Sequence, residues 1–277
     1  MNYLSVEDLS KSFGEFVLFE NLSFGIEKGQ KVALIARNGT GKTTLFKLLS
    51  GLEAADGGKV IFNNEARIGF LHQEPGFEPH HTVMETVFDS DNEIISAVRD
   101  YEKALQEPGD KERLDKAIGQ MEALNAWDYE TQIKEILSRF KIEYLDQKTG
   151  ELSGGQQKRL ALAKVLIDAP DFLLLDEPTN HLDVEMIEWL EKYLSQQNIT
   201  IFMVTHDRYI LDRVCTDILE LEQGKLFRYQ GNYAYFLRKR AEREEKQTAD
   251  VAKAKNLLRK ELDWMQRMPK ARGTKSK

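Results

Sequence analysis

Short apolar runs alternate along the chain with stretches in which apolar residues recur at helical spacing. The runs are typical of buried β-strands and occupy residues 31–35, 59–62, 172–175 and 201–204. Because helical patterns lie between several of these runs, they predict an α/β sheet. Two further strands are predicted near residues 3–8 and 22–27. No helical pattern separates this pair, which indicates an antiparallel β subdomain.

Two segments depart from this alternation. Residues 84–140 are charged and helix-favouring, with a Pro-Gly interruption at 108–109, and predict two or three helices in a subdomain inserted into the sheet domain. Residues 233–264 contain neither Pro nor Gly and predict one long helix. We therefore expect a core at 1–83 and 141–231, a helical subdomain with an arm-like insertion at 84–140, and a basic helical linker at 232–277. The polar ending of the linker suggests a chain cut between folded parts.

Charge is distributed unevenly over the chain. The formal net charge of −7 combines about +8 in residues 232–277 with about −15 in the remainder. A basic segment on an acidic protein is a candidate for binding a polyanion. No apolar run reaches membrane-spanning length, the first residues lack a signal-peptide layout, and Cys215 is the single cysteine. The expectation is a cytoplasmic protein without a membrane partner.

A glycine-rich loop at residues 35–44, Ile-Ala-Arg-Asn-Gly-Thr-Gly-Lys-Thr-Thr, follows a predicted strand and opens a helix. Such a loop directs backbone N–H groups at phosphate oxygens, with Lys42 on the β and γ phosphates and Thr43 on Mg²⁺. The strict motif requires glycine where this chain has Ala36, a change that is harmless if the backbone there is extended. The candidate ATP-binding residues of the loop are Ala36, Arg37, Asn38, Gly39, Thr40, Gly41, Lys42, Thr43 and Thr44.

Two further motifs carry chemistry. The run at 172–175 delivers Asp176 and Glu177 at its end, where Asp176 fits a Mg²⁺ ligand and Glu177 fits the group that polarises the attacking water. Leu-Ser-Gly-Gly-Gln at 152–156 precedes a helical run and offers a hydroxyl and N–H groups as a second phosphate grip. Its candidate residues are Ser153, Gly154, Gly155 and Gln156.

These motifs, in this order, resemble the ATP-binding cassette superfamily. The resemblance implies a P-loop ATPase that uses ATP and Mg²⁺, in which the signature at 153–156 completes the ATP site of a partner cassette. It also implies that Phe13 stacks on adenine and that Asp183 lies in a loop crossing to the partner. The implied catalytic residues are Glu177, His206 and Lys42, and the implied metal ligands are Thr43, Gln73 and Asp176.

The string 176–183, Asp-Glu-Pro-Thr-Asn-His-Leu-Asp, the inserted helices and the charged linker resemble the ABC-F family, particularly its Uup-like branch. That resemblance implies the first of two cassettes, weakly active as an ATPase when isolated, in a protein acting on the ribosome and transfer RNA. The partner cassette would lie in the same polypeptide or in a second copy. Candidate RNA-backbone contacts are Arg238, Lys239, Arg240, Arg267, Lys270, Arg272 and Lys275.

Three other functions remain open from the residues. A transporter motor subunit would share every ATP-site motif but would leave the basic linker without a role. A DNA-associated ATPase of replication or repair would suit the same basic linker. A structural nucleotide-binding module is disfavoured by the presence of Lys42, Asp176 and Glu177 together.

Overall fold

The computed structural model describes residues 1–37, 39–73, 75–90, 92–106 and 110–267. The chain divides into two compact units between Asn232 and Tyr233. The strands are β1 Asn2–Phe13, β2 Phe16–Glu27, β3 Lys31–Ala36, β4 Gly57–Phe62, β5 Ile68–Leu71, β6 Phe172–Asp176, β7 Thr200–Val204, β8 Asp217–Glu222 and β9 Lys225–Gln230. The helices are α1 Lys42–Leu49, α2 Val83–Val87, α3 Glu93–Gln106, α4 Lys111–Ala123, α5 Trp127–Arg139, α6 Gly154–Ile167, α7 Val184–Gln196, α8 Arg208–Arg213 and α9 Tyr233–Arg267.

A six-stranded sheet in the order β5-β6-β7-β3-β8-β9 organises the first unit. Its first five strands are parallel, and β9 pairs antiparallel with β8. Strands β6 and β7 are buried along their whole length, as expected for parallel strands covered on both faces. The predicted α/β fold class is confirmed by this sheet, and so is the separate antiparallel sheet beside it.

The antiparallel sheet has the order β2-β1-β4 and differs from the prediction in two ways. Strands β1 and β2 are each 12 residues long, about twice the predicted length. Residues 59–62 were predicted to form a buried strand, but they belong to β4, which pairs with β1, and Ile61 is 44% exposed. One face of an antiparallel strand can face water, so β4 needs only alternate residues in the core.

The hydrophobic core of the first unit lies between the two sheets and includes helix α1. Phe202 of β7 is fully buried and stacks on Phe46 of α1 with ring centroids 5.3 Å apart. Phe24 of β2 also packs on Phe202, with ring centroids 5.7 Å apart. These aromatic contacts join both sheets to the helix that follows the glycine-rich loop.

The described residues between 83 and 140 form four helices, where two or three were predicted for residues 84–140. The additional one is α2, a five-residue helix that begins with a reciprocal capping box between Thr82 and Glu85. Such a box satisfies two backbone donors at once and stabilises even a short helix. The predicted interruption falls between α3 and α4, at residues 107–109, which lie outside the described residues.

The second unit contains the predicted long helix, α9, whose 35 residues extend slightly beyond the predicted end. Ion pairs one turn apart join Lys239 to Glu242 and Arg240 to Glu244. Pairs at this spacing support an exposed helix. Within the described residues, no helix combines the length and apolar character needed to cross a membrane.

Candidate functional site

The candidate site lies where parallel strands end. Strands β5, β6, β7 and β3 are neighbours in the sheet, so their carboxyl ends meet along one edge. The glycine-rich loop follows β3, Asp176 ends β6, His206 follows β7, and Gln73 follows β5. Residues separated by up to 170 positions in the sequence are thereby brought to one place.

The glycine-rich loop adopts left-handed backbone at two glycines, Gly39 with φ of 81° and Gly41 with φ of 100°. Ala36 is the last residue of β3 and pairs in register with Leu221 of β8, so its backbone is extended. An alanine costs nothing in that conformation, and the departure from the strict motif does not distort the loop. The Lys42 ammonium donates to the carbonyl oxygen of Ala36 at 2.9 Å, which keeps it against the loop.

The N-terminus of α1 is suited to an anion. Gly41 is the N-cap and provides no side-chain hydrogen bond, and the first turn of this fully described helix contains no acidic residue. Backbone N–H groups and the positive end of the helix dipole therefore point out of the helix end. Phosphate oxygens are the ligands that such an end binds.

An open cleft of ≈ 450 Å³ begins at this helix end. Lys42, Thr43, Asp176, Glu177 and His206 all line it. The remaining lining residues are Leu18, Gly39, Gly41, Thr44, Gln73, Asn180 and Val204. Besides the acidic pair and the histidine, six of the residues predicted from the sequence line this cleft, namely Gly39, Gly41, Lys42, Thr43, Thr44 and Gln73.

The two adjacent carboxylates of the cleft have different environments. Burial and the nearby Glu177 charge raise the pKa of Asp176 to about 6. Burial also raises the pKa of Glu177, although Lys42 and the backbone N–H of His206 favour its charged form. Glu177 has left-handed backbone with φ of 50°, and its N–H donates to the carbonyl of Val204 at 2.9 Å. Such strain at a strand end is common where a side chain must be aimed at a site.

The His206 ring lies beside Glu177, with 3.6 Å between Nε2 and Oε1. This separation is too long for a hydrogen bond. Burial and the Lys42 charge lower the pKa of His206, which favours the neutral imidazole. In a neutral ring one nitrogen donates a hydrogen bond and the other accepts one, and the tautomer decides which role Nε2 has.

Three side chains offer oxygen ligands for a magnesium ion. Thr43, Gln73 and Asp176 line both the cleft and an adjoining cavity of ≈ 290 Å³, so their side chains lie along one boundary. Hydroxyl, amide and carboxylate oxygens suit Mg²⁺, which binds few protein groups and takes its other ligands from water and phosphate. A cation there would also offset the repulsion that raises the pKa of Asp176. In the described part of the chain, no three His, Cys, Asp or Glu side chains form a metal-binding group by themselves.

The signature residues form the start of α6. Ser153 is the N-cap and forms a reciprocal capping box with Gln156. The N–H of Gln156 therefore donates to the Ser153 hydroxyl, with 3.3 Å between the nitrogen and the oxygen. A Cβ at Gly154 would meet no described atom within 4 Å, so a ligand or partner can approach this turn closely.

The loop that carries Asp183 contacts the helical region at two points. Asp183 caps α7 and accepts a hydrogen bond from Lys141 Nζ at 2.7 Å. His181 has left-handed backbone with φ of 69°, and its Nε2 lies 3.2 Å from Lys158 Nζ in α6. The loop is thus tied to the segments that present the signature.

Some predicted residues are not among those that line this cleft. Phe13 ends β1 and is 52% exposed, and the lining residues described for the cleft include Leu18 of the paired strand instead. Arg37 is exposed, Thr40 donates its hydroxyl to the carbonyl of Arg37 at 2.7 Å, and Asn38 lies outside the described residues. Sequence reasoning missed Leu18 and Asn180. Nothing local marks Leu18, whereas Asn180 stands three residues after Glu177 in a motif already identified.

The candidate RNA contacts all belong to the second unit. Arg238 lies over the ring of Tyr235 at 5.4 Å, and Lys239 and Arg240 pair with glutamates of their own helix. Arg267 is the last residue of α9. Lys270, Arg272 and Lys275 lie outside the described residues.

The two loop glycines provide a matched test of the cleft geometry. We expect Gly41→Ala to lower the unfolding temperature more than Gly39→Ala. Both positions have positive φ, but a Cβ at Gly41 would lie 2.5 Å from Leu18 Cδ2, while a Cβ at Gly39 meets no described atom within 4 Å. The strain of roughly 1 kcal/mol is common to both, and overpacking adds about 1–3 kcal/mol at Gly41 alone. Equal shifts in thermal unfolding followed by circular dichroism would contradict this packing.

Comparison with family models identifies the same region. The model of a family described as ABC transporter matches residues 19–180. A second model, also described as ABC transporter, matches residues 219–277. Together these matches include the cleft residues from Gly39 to Asn180 and the basic C-terminal segment.

Curated relatives match the chain over nearly its whole length. The uncharacterised ABC transporter ATP-binding protein YfmR of Bacillus subtilis is 46% identical over 100% of this chain and 45% of its own. The energy-dependent translational throttle protein EttA of Mycobacterium tuberculosis is 35% identical, over 99% of this chain and 50% of its own. EttA of Escherichia coli K12 is 33% identical, over 94% and 48%. The chain thus spans about half the length of the curated relatives it matches.

Solved structures agree on the fold. The ATP-binding subunit of an ABC transporter has a TM-score of 0.62 at 20% identity and covers 82% of this chain and 90% of its own. A dimeric ATP-binding cassette bound to ADP and Pi has a TM-score of 0.59 at 23% identity, covering 82% and 98%.

Proposed function

The chain belongs to the ABC transporter family of ATP-binding cassettes, and on that premise we propose that it is an ATP-hydrolysing cassette of an ABC-F protein that acts on the ribosome. The proposal is carried by one observation. Lys42, Thr43, Asp176, Glu177 and His206 come from three strand ends and line one cleft at a helix N-terminus. That combination binds a triphosphate, ligates a divalent cation and orients a water molecule.

The charged and polar residues of the cleft that the sequence predicts have the following roles in the proposed reaction. The α1 N-terminus and Lys42 hold the β and γ phosphates, since both are positive and the ammonium already lies against the loop. Thr43, Gln73 and Asp176 would hold Mg²⁺, which would neutralise charge on the phosphate oxygens. Glu177 accepts a proton from the attacking water, and its raised pKa suits a base working near neutral pH. His206 lies beside Glu177 and helps to orient the reacting groups in this part of the cleft.

A partner cassette is part of the proposal. Ser153, Gly154, Gly155 and Gln156 form a helix start at which Ser153 and Gly154 are exposed, and Asp183 lies in the loop tied to it. We infer that this surface completes the ATP site of a second cassette, either in the same polypeptide or in another copy of the chain. A related cassette of the same fold has been solved as a dimer, which supports this arrangement.

The ribosomal role rests on charge and on relatives. Two of the similar proteins are named translational throttle proteins. We propose that the chain consists of a core at 1–83 and 141–231, a helical subdomain at 84–140 and a linker at 232–277. The linker carries 14 Lys and Arg against 6 Asp and Glu. Exposed ion pairs such as Lys239–Glu242 contribute little stability. The Lys and Arg side chains can therefore leave their glutamate partners and bind RNA phosphates instead.

Sedimentation through a ribosome gradient tests this role. We expect the full-length Glu177→Gln protein, with the equivalent glutamate of any second cassette also changed, to comigrate with ribosomes when ATP is present. Comigration should weaken between about 50 and 200 mM salt, because Lys and Arg contacts to phosphate release counterions. Lack of comigration at the lower salt would overturn the ribosomal proposal, and binding to branched DNA or to membranes instead would identify a DNA-associated ATPase or a transporter motor.

A further inference from the structure

The loop between Glu177 and α7 is held through both oxygens of one carboxylate. Asp183 Oδ1 accepts the N–H of Met186 at 3.0 Å and so caps α7. Asp183 Oδ2 accepts a hydrogen bond from Lys141 Nζ at 2.7 Å. The hydrogen bonds from Lys141 and Met186 lower the pKa of Asp183, so this carboxylate is charged at neutral pH. Its position is therefore set from another segment as well as from its own helix.

Lys141 has a backbone conformation that favours glycine. Helix α5 ends in a Schellman motif, in which the N–H of Lys141 donates to the carbonyl of Ser138 at 3.0 Å and the N–H of Ile142 donates to the carbonyl of Leu137 at 2.9 Å. Lys141 follows the helix cap with φ of 54°, where a side chain adds strain that glycine avoids. The ion pair with Asp183 is exposed, and such pairs contribute little to stability. The lysine side chain is therefore explained by what it positions rather than by what it adds to the stability of the fold.

The helix end that carries Lys141 is fixed to both neighbouring helices. Arg159 of α6 donates through Nε to the carbonyl of Phe140 at 3.1 Å. The Phe140 ring is fully buried and meets the Trp189 ring of α7 edge-on, with ring centroids 5.6 Å apart. Lys141 is the next residue, so its backbone is held by contacts with α6 and α7 before its side chain reaches Asp183.

Lys141 also borders the signature. It lines a small pocket together with Leu152 and Gln156. Gln156 closes the capping box with Ser153 at the start of α6. Because Lys141 borders this helix start and donates to Asp183 as well, it fixes the spacing between the signature and the carboxylate.

We propose that Lys141 is a positioning residue for the ATP site of the partner cassette, which holds Asp183 at a fixed distance from the signature so that both enter that site as one surface. The inference rests on the proposed pairing of two cassettes. It adds a residue from the helical region that belongs to none of the sequence motifs. Lys141 is not among the residues that line this chain's own cleft, so its effect falls on the partner's site.

Lys141→Met tests this role in the full-length protein. We expect turnover at saturating ATP-Mg²⁺ to fall about 2- to 30-fold, because displacing a group by about 1 Å can cost up to about 10²-fold. A twofold fall is the result if only the site that this surface completes is affected. The Kd for ADP-Mg²⁺, measured by calorimetry, should stay unchanged, since ADP binds in a cleft that Lys141 does not line.

Lys134→Met is the matched control for this variant. Lys134 belongs to the same helix and pairs with Glu102 at 2.9 Å, and its side chain is 58% exposed, against 57% for Lys141. Both variants remove one lysine charge and one ion pair, but Lys134 does not contact the loop of Asp183. We expect the turnover of Lys134→Met to match that of the unmodified protein.

Three further variants separate positioning from stability. Lys141→Gly removes the side chain and relieves the positive φ, so the unfolding temperature should be retained or raised while turnover falls as in Lys141→Met. Lys141→Arg keeps a cation that can reach Asp183 and should restore most of the turnover. Asp183→Asn can still cap α7, and adding Lys141→Met to it should cause no further loss.

Turnover of Lys141→Met equal to that of Lys134→Met, or a further loss in the double variant, would overturn the positioning role. A fall in the turnover of Lys141→Gly that follows a lowered unfolding temperature would assign Lys141 to stability instead and would also overturn it. Absence of ATP turnover in the unmodified full-length protein would overturn the proposed function itself.

Discussion

Replacing Glu177 with Gln is expected to reduce ATP turnover by about 10²–10⁴-fold, the range associated with a positioned general base. The amide keeps the size of the side chain and its Oε1, so it can still accept the backbone N–H of His206. It cannot take a proton from water. ATP affinity should be retained or increased, because the change removes a negative charge from beside the triphosphate site. Turnover at saturating ATP-Mg²⁺ and binding of a fluorescent ATP analogue would be measured on the same preparation.

A control on the neighbouring helix distinguishes catalysis from a change of net charge. Glu188 lies exposed on α7, and Glu188→Gln removes the same charge while leaving the cleft intact. We expect its turnover to match that of the unmodified protein. Turnover of Glu177→Gln within about threefold of the control would exclude Glu177 as the base, since a general base contributes far more than that.

The buried parallel strands were predictable within about one residue. Residues 172–175 are a continuous apolar run that ends at Asp176, and the observed β6 is Phe172–Asp176. A run buried on both faces needs apolar residues at every position, so its limits are visible in the sequence. The predicted run at 31–35 corresponds in the same way to β3, Lys31–Ala36.

The antiparallel strands were underestimated because their pattern is irregular. Asp8 and Asn21 have positive φ, and the pairing of β1 with β2 changes register four times. Alternation of polar and apolar residues breaks at each irregularity, so a search for period two ends there. The length of β1 depends on its partners β2 and β4, which is tertiary information.

The residues of the candidate site also fall into two groups, those that sequence motifs identify and those that depend on tertiary packing. Lys42, Thr43, Asp176 and Glu177 were identifiable because the chemistry requires particular residue types at fixed spacing after a strand. Leu18 could not be identified, because its place in the cleft depends on packing over Gly41, a residue 23 positions later in the sequence. The contact of Lys141 with Asp183 likewise joins segments that local sequence patterns do not connect.

Truncation of Phe202 to Ala is expected to lower the free energy of unfolding of the first unit by about 3–5 kcal/mol. The ring is fully buried in β7 and contacts Phe46 and Phe24, so its removal leaves a cavity between the sheets and α1. Urea unfolding followed by circular dichroism and by tryptophan fluorescence would measure the change. Phe202→Leu, a smaller truncation, keeps the measurement possible if the alanine variant does not fold.

Nucleotide bound at the N-terminus of α1 is also expected to raise the stability of the first unit. Phe46 belongs to α1, whose first turn contains Lys42 and Thr43 of the proposed phosphate site. A ligand that binds only the folded unit stabilises it by about 2.7 kcal/mol at a hundredfold excess over Kd. ATP-Mg²⁺ at that excess should therefore recover most of the unfolding free energy that Phe202→Ala loses.

Ile61→Ala is the control for the Phe202 truncation. Ile61 is 44% exposed on β4, so its truncation should change the unfolding free energy by less than about 0.5 kcal/mol. A loss at Phe202 as small as that of Ile61 would mean that α1 is not held by this stack.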